Sequence, residues 1–197
     1  MIDEGYIKFK INWDKTPPLA IPKIKELIYW RQQCFANDLI GAYPNGIGFG
    51  NISLRKGKSK QFYISGSATG NEKTLNKHHF SLVTKVDAPR NALWCKGPIV
   101  ASSESMSHAI IYDKLPWVNA VIHAHDLAMW QQLLHQVPTT AADAPYGSPE
   151  MVASIAHLID STNLPEQKIF VMEGHEEGIF VFGKDLEEAF NICIVFS

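Results

Sequence analysis

The chain has 197 residues, 46% hydrophobic and 19% charged, with a net charge of −2 at pH 7: enough for one domain with a sizeable core, ordinary for a globular protein, and without a basic surface for nucleic acid. Cys34, Cys95 and Cys193 are odd in number and far apart, which argues against a disulfide framework. No basic stretch followed by an apolar run opens the chain and no segment has the length of a membrane span, so a soluble, cytoplasmic protein is expected.

After a polar opening, Thr16 offers a helix cap and Pro17 and Pro18 suit a first helical turn. Ile24, Leu27, Ile28, Arg31, Cys34, Phe35 and Leu39 recur at intervals of three and four, which predicts a long scaffold helix with one mostly apolar face. A glycine-dense loop over 43–51 runs into a strand at 52–55, and a Lys/Gly/Ser hairpin leads to a second strand at 61–65. A small-residue loop over 66–70 follows. Glycines let backbone N–H groups approach an anion closely, although a plain turn is the simpler reading of either loop alone. A short helix then carries His78 and His79, which lack ligand spacing and receive no role, and hairpin strands are expected at 81–86 and 92–95.

Residues 100–112 have the marks of a helix start, with a serine as cap and Glu104 in the first turn. An acid that complements the helix dipole is the plain account of Glu104. Beside it, the hydroxyls of Ser102 and Ser103 and the open N–H groups of a helix start could receive a phosphate. His108 lies one turn later on the same face and stays outside the ligand set. Leu115 and Pro116 end this helix, and a strand over 118–125 follows. Next come a helix at about 126–135, a loop over 136–147, a helix capped by Ser148, strands at 168–172 and 178–182, and a last helix capped by Asp185. No repeat, linker or low-complexity tract divides 1–197, so one domain of mixed sheet and helices is expected.

The strand over 118–125 carries His123 and His125 one residue apart. Side chains at i and i+2 of a strand share a face, so the two imidazoles form a pre-oriented chelate. A divalent metal such as zinc then needs another nitrogen and a carboxylate, water or substrate. His175, just after the strand at 168–172, and Glu104 are the candidates to complete it. An isolated His-x-His would more often be chance in a core strand; here its surroundings argue for chemistry. A metallo-β-lactamase site would need an aspartate at 127 and a histidine at 128, where Leu127 and Ala128 stand. A cupin would need short strands throughout, against at least four segments of helical period.

With these residues assembled, the sequence resembles the class II aldolase/adducin family from the first helix to about Phe190. The resemblance rests on Ser102, Ser103 and Glu104, then His108 and Tyr112, then the run from Val121 through His123 to His125, in the family's order and spacing. It implies an α/β fold of three layers (α/β/α), a central, mainly antiparallel sheet flanked by helices. It implies Zn2+, or another divalent metal, on His123, His125 and His175, with Glu104 as catalytic acid/base. It also implies a phosphate cradle from Gly50, Asn51, Ser67, Thr69, Gly70, Ser102 and Ser103, and a homotetramer with sites at subunit interfaces.

The chain departs from the pattern in places. Two residues, Glu176 and Glu177, separate His175 from Gly178, where the family commonly has His-His-Gly. The loop after the second strand is longer than usual, the family's C-terminal tail looks shortened, and no tyrosine precedes Tyr146 in the region where the aldolases carry a proton donor. The expected function is a metal-dependent aldolase-type lyase acting on a small hydroxy-carbonyl compound, a sugar phosphate, through a metal-stabilised enediolate. The alternatives are an epimerase or dehydratase of the same family, or a non-catalytic adducin-like interaction module.

Overall fold

A computed structural model describes residues 6–19 and 22–197. Its elements in order are β1 (Lys10–Lys15), α1 (Pro22–Ala36), β2 (Gly41–Ala42), β3 (Gly48–Phe49), β4 (Asn51–Arg55), β5 (Phe62–Ser65), β6 (Phe80–Asp87), β7 (Ala92–Gly97), α2 (Ser105–Lys114), β8 (Ala120–His125), α3 (Leu127–Leu133), α4 (Pro149–Ser161), α5 (Leu164–Gln167), β9 (Ile169–Val171), β10 (Gly178–Gly183) and α6 (Leu186–Phe196). Eight strands form one sheet in the order β1-β7-β6-β5-β4-β8-β10-β9, while β2 and β3 pair separately. Within the large sheet the pairing is antiparallel except between β1 and β7.

Alternation along the strands divides the core into two layers. On β8, Val121 joins the cluster that holds Met106 and Ile111 of α2 and Met151 and Ile155 of α4. Ala120, Ile122 and Ala124 join the other cluster, with Leu27 of α1, Met129 of α3 and Ala189 of α6. Helices therefore cover both faces of the sheet, the three-layer α/β/α arrangement expected from the sequence. No helix among the described residues is long and apolar enough to cross a membrane.

Several local expectations meet their chemistry. Ser148 accepts from the N–H of Met151 at 3.1 Å, and Asp185 from that of Glu188 at 2.8 Å, which satisfies first-turn donors of α4 and α6. The segment with His78 and His79 is one 3-10 turn, Lys77–His79.

Others change. Thr16 does not cap a helix: its N–H donates to the carbonyl of Gly97 and prolongs the pairing of β1 with β7, and α1 is described from Pro22. Helix α2 begins at Ser105 with Glu104 at the capping position. Two serine hydroxyls bond within the tight turn before the helix: Ser102 Oγ accepts from the Glu104 N–H at 3.2 Å, and Ser105 Oγ donates to the Ser102 carbonyl at 2.6 Å.

Candidate active site

Strand β8 is flanked by β4 and β10, and all six of its residues are buried. Following the alternation, His123 and His125 point with Val121 toward the α2 and α4 layer, the side on which Glu104 precedes α2. His123 pairs with Asn51 of β4 and Phe180 of β10, and His125 with Gly178. Gly178 is also the place where the connection from β9 returns. A Cβ there would stand 2.5 Å from Cδ2 of His175, so the missing side chain lets that ring lie beside the other two.

The three imidazoles converge. His125 Nε2 lies 3.1 Å from His123 Nε2 and 3.2 Å from His175 Nε2, and one ligand atom from each falls within 4.8 Å of the others. The edge of a tetrahedral zinc site with bonds of about 2.1 Å is roughly 3.4 Å, so the spacing fits one small cation. The electrostatics fit as well. Burial, and then the neighbouring imidazoles, push His123 well below its ordinary pKa, while the Ile179 carbonyl, 3.2 Å from Nδ1, opposes the shift. A buried imidazole that resists protonation presents a lone pair, and a cluster of lone pairs is what a divalent metal neutralises. Glu104 is not a member of this cluster; it stands beside it.

Glu104, 3% exposed, lines a small pocket with His123, Gly50, Asn51, Thr69, Gly70, Ser102 and Ser103. Its Oε2 accepts from Ser107 Oγ at 2.9 Å. Of the residues expected from the sequence to cradle phosphate, Ser67 alone is not among the lining residues; Ala68 lines the pocket in its stead, while the Ser67 N–H donates to the Val100 carbonyl. Gly50 must be glycine, because its φ is +73° and a Cβ would lie 2.8 Å from Ile40 and 3.0 Å from the His123 carbonyl.

His108 orients the pocket from behind. Burial pushes its imidazole down to about 3, so it is neutral and carries one proton. Nε2 lies 2.6 Å from Asn51 Oδ1, Nδ1 lies 2.6 Å from Ser53 Oγ, and Ser53 Oγ lies 2.7 Å from Tyr112 Oη. The consistent order has Tyr112 donating to Ser53, Ser53 to Nδ1, and Nε2–H to Asn51. With Oδ1 committed to His108, what Asn51 can offer the pocket is its NH2 group, a donor as an anion requires.

Arg31, in the apolar pattern of α1, is 1% exposed. Its guanidinium donates to the carbonyls of Thr69 at 3.0 Å and Gly70 at 2.9 Å, and burial lowers its pKa to about 10. It thus ties the small-residue loop to the first helix. Sequence reasoning missed this, and the one signal was a cation on an otherwise apolar face.

Around His125, Tyr43 Oη lies 3.0 Å from Nδ1 and donates to Glu177 Oε2 at 2.7 Å. Glu177 is held below the ordinary carboxylate range, by the facing His125 first, against the opposing effect of burial, with the Tyr43 hydroxyl adding to it. At 3.7 Å from Nδ1, the carboxylate is beyond a direct hydrogen bond, so the hydroxyl is the bridge. Tyr146 packs its ring on His175, with centroids 5.0 Å apart, and its hydroxyl accepts from the N–H of Tyr6 at 3.0 Å.

Comparison with known proteins bears on the whole arrangement. The model of the class II aldolase and adducin N-terminal domain family matches residues 44–197. No curated protein matches the sequence. Among solved structures, the chain is similar to an L-fuculose 1-phosphate aldolase at 21% identity and a TM-score of 0.67, over 88% of this chain and 81% of that one. It is similar to a sugar-phosphate aldolase from Thermotoga maritima at 16% identity and a TM-score of 0.67, over 88% and 89% of the two chains. It is also similar to YgbL from Klebsiella pneumoniae at 18% identity and a TM-score of 0.64, over 87% and 83%. At such identities these are likenesses of fold.

Proposed function

Because the chain belongs to the class II aldolase and adducin family, we propose that it is a zinc-dependent lyase that cleaves a carbon–carbon bond in a small hydroxy-carbonyl compound, a sugar phosphate. The observation that carries this reading is the convergence of the His123, His125 and His175 nitrogens within 4.8 Å of one another, with the pocket of Glu104 and Ser103 adjoining at His123. Three nitrogen donors with a fourth position left for substrate is the pattern of a catalytic rather than a structural zinc.

When bound, the cation supplies Lewis acidity, stabilising negative charge on the substrate oxygens as the bond breaks. The protein's own groups do the rest. Glu104 moves the proton: as carboxylate it takes the hydroxyl proton of the carbon that leaves as aldehyde while the carbon–carbon bond breaks, and as carboxylic acid it delivers that proton to the carbon that keeps the electron pair. Ser107 holds that carboxylate by its hydrogen bond to Oε2, which keeps the base in one orientation. The Asn51 amide and the Ser102 and Ser103 hydroxyls offer hydrogen-bond donors to a phosphate, and the loop tethered by Arg31 adds backbone from Thr69 and Gly70. An epimerase or dehydratase would use the same residues, because both chemistries pass through the same kind of carbanion.

The test is a panel of ketose phosphates incubated with the metal-loaded protein while aldehyde release is followed. Release that disappears on chelation and in the Glu104→Gln variant is the expected result. Isomerised or dehydrated product without aldehyde would assign the alternative reactions, and no conversion with metal bound would favour an adducin-like binding role.

A further inference from the structure

A ligating imidazole is aimed by whatever its second ring nitrogen touches. His123 uses a backbone carbonyl, that of Ile179 at 3.2 Å. His125 uses side chains, from two parts of the chain far apart in sequence. Its Nδ1 meets Tyr43 Oη at 3.0 Å, and that hydroxyl donates to Glu177 Oε2 at 2.7 Å. A hydroxyl has one proton. Since it goes to Glu177, the contact with His125 runs the other way, from Nδ1–H to the Tyr43 oxygen. The lone pair of His125 is thereby placed on Nε2, the nitrogen that faces both other histidines at 3.1 and 3.2 Å.

Both relay residues are held in place. The Tyr43 ring packs on Phe49 with centroids 4.8 Å apart, and Phe49 stacks on His125 at 5.3 Å and 27°. Glu177 has a φ of +69°, a left-handed conformation uncommon for its residue type. It is one of the two residues by which this chain separates His175 from Gly178. Side chains from the 43–49 segment and from that lengthened turn therefore meet behind a single imidazole.

We propose that Tyr43 and Glu177 are positioning residues, a carboxylate–hydroxyl–imidazole relay that fixes the tautomer and ring angle of His125 and strengthens it as a ligand. The affinity of the centre for zinc is then set in part by two side chains that do not touch the metal. The inference rests on the reading of the three histidines as a metal centre.

The test is a competition titration, in which apo protein takes zinc from a chromophoric chelator. Tyr43→Phe and Glu177→Gln should each weaken zinc binding about 10- to 100-fold, the usual size of an effect at one remove from a metal. The double variant should lose no more than the weaker-binding single variant, because a relay broken at either point is broken. The cobalt(II)-substituted Tyr43→Phe protein should show a shifted visible spectrum, while the melting temperature of the apo protein stays at the wild-type value. Wild-type zinc affinity in both single variants overturns the relay, as does an additive loss in the double variant or a loss that follows a fall in apo melting temperature. His125→Ala separates the two readings. If the wild type binds no zinc, the metal centre falls and the relay with it. If the wild type binds zinc, His125→Ala loses it and both relay variants keep it, the relay alone falls.

Discussion

At the scale of single residues, burial makes histidines serve as neutral hydrogen-bonding or ligating groups. His108 is neutral because its pKa is pushed down to about 3, against an ordinary value near 6.5 in the unfolded chain. Between those values the unfolded chain binds a proton that the folded one does not, so stability is fully present above about pH 6.5 and falls as the pH drops toward 3. Each such group contributes a slope of about 1.4 kcal/mol per pH unit. His123 shifts in the same direction. Urea unfolding of the apo protein between pH 7 and pH 4 should show this loss, and His108→Gln should reduce the slope by about one proton. An unchanged slope would mean that His108 titrates normally. The His-x-His pair was legible in sequence because a period of two fixes a shared face. Arg31 was not: its partners are the backbone carbonyls of Thr69 and Gly70, which no residue type marks.

At the scale of elements, the sequence yields those whose signal is local. Ser148 and Asp185 cap the helices they were expected to cap, and the hairpin of β6 and β7 turns where Asp87 and Asn91 allow. Strand β1 is different. Its residues Lys10–Lys15 have no buried member and no clean alternation, and what makes them a strand is the parallel edge of β7, some eighty residues away. The start of α2 was ambiguous because serines stand at 102, 103 and 105, each a possible cap, and two of their hydroxyls bond within the turn. Helix α3 follows the second histidine directly, and Asp126 caps it by accepting from the Met129 N–H at 2.8 Å. Asp126→Ala should cost about 1 kcal/mol of stability, read as a lowered urea midpoint, with the zinc content unchanged because the cap lies outside the ligand set.

At the scale of the whole molecule, the order of strands brings the site together. Glu104 before α2, the glycine loop before β4, the two histidines ending β8 and the turn between β9 and β10 are distant in sequence, yet β4, β8 and β10 are consecutive in the sheet. The family resemblance implies that assembly, since spacing alone could not say that His175 returns to His125. Binding that favours the folded chain stabilises it by mass action, about 2.7 kcal/mol at a hundredfold excess over the dissociation constant, so a metal ion bound at the proposed site would tie these segments into a single cooperative unit. The most direct measurement is the zinc content per chain of the purified protein and of two variants. The account predicts one zinc per wild-type chain and none in His123→Ala or His125→Ala. Full zinc in both variants, or none in the wild type after zinc is supplied, would contradict it.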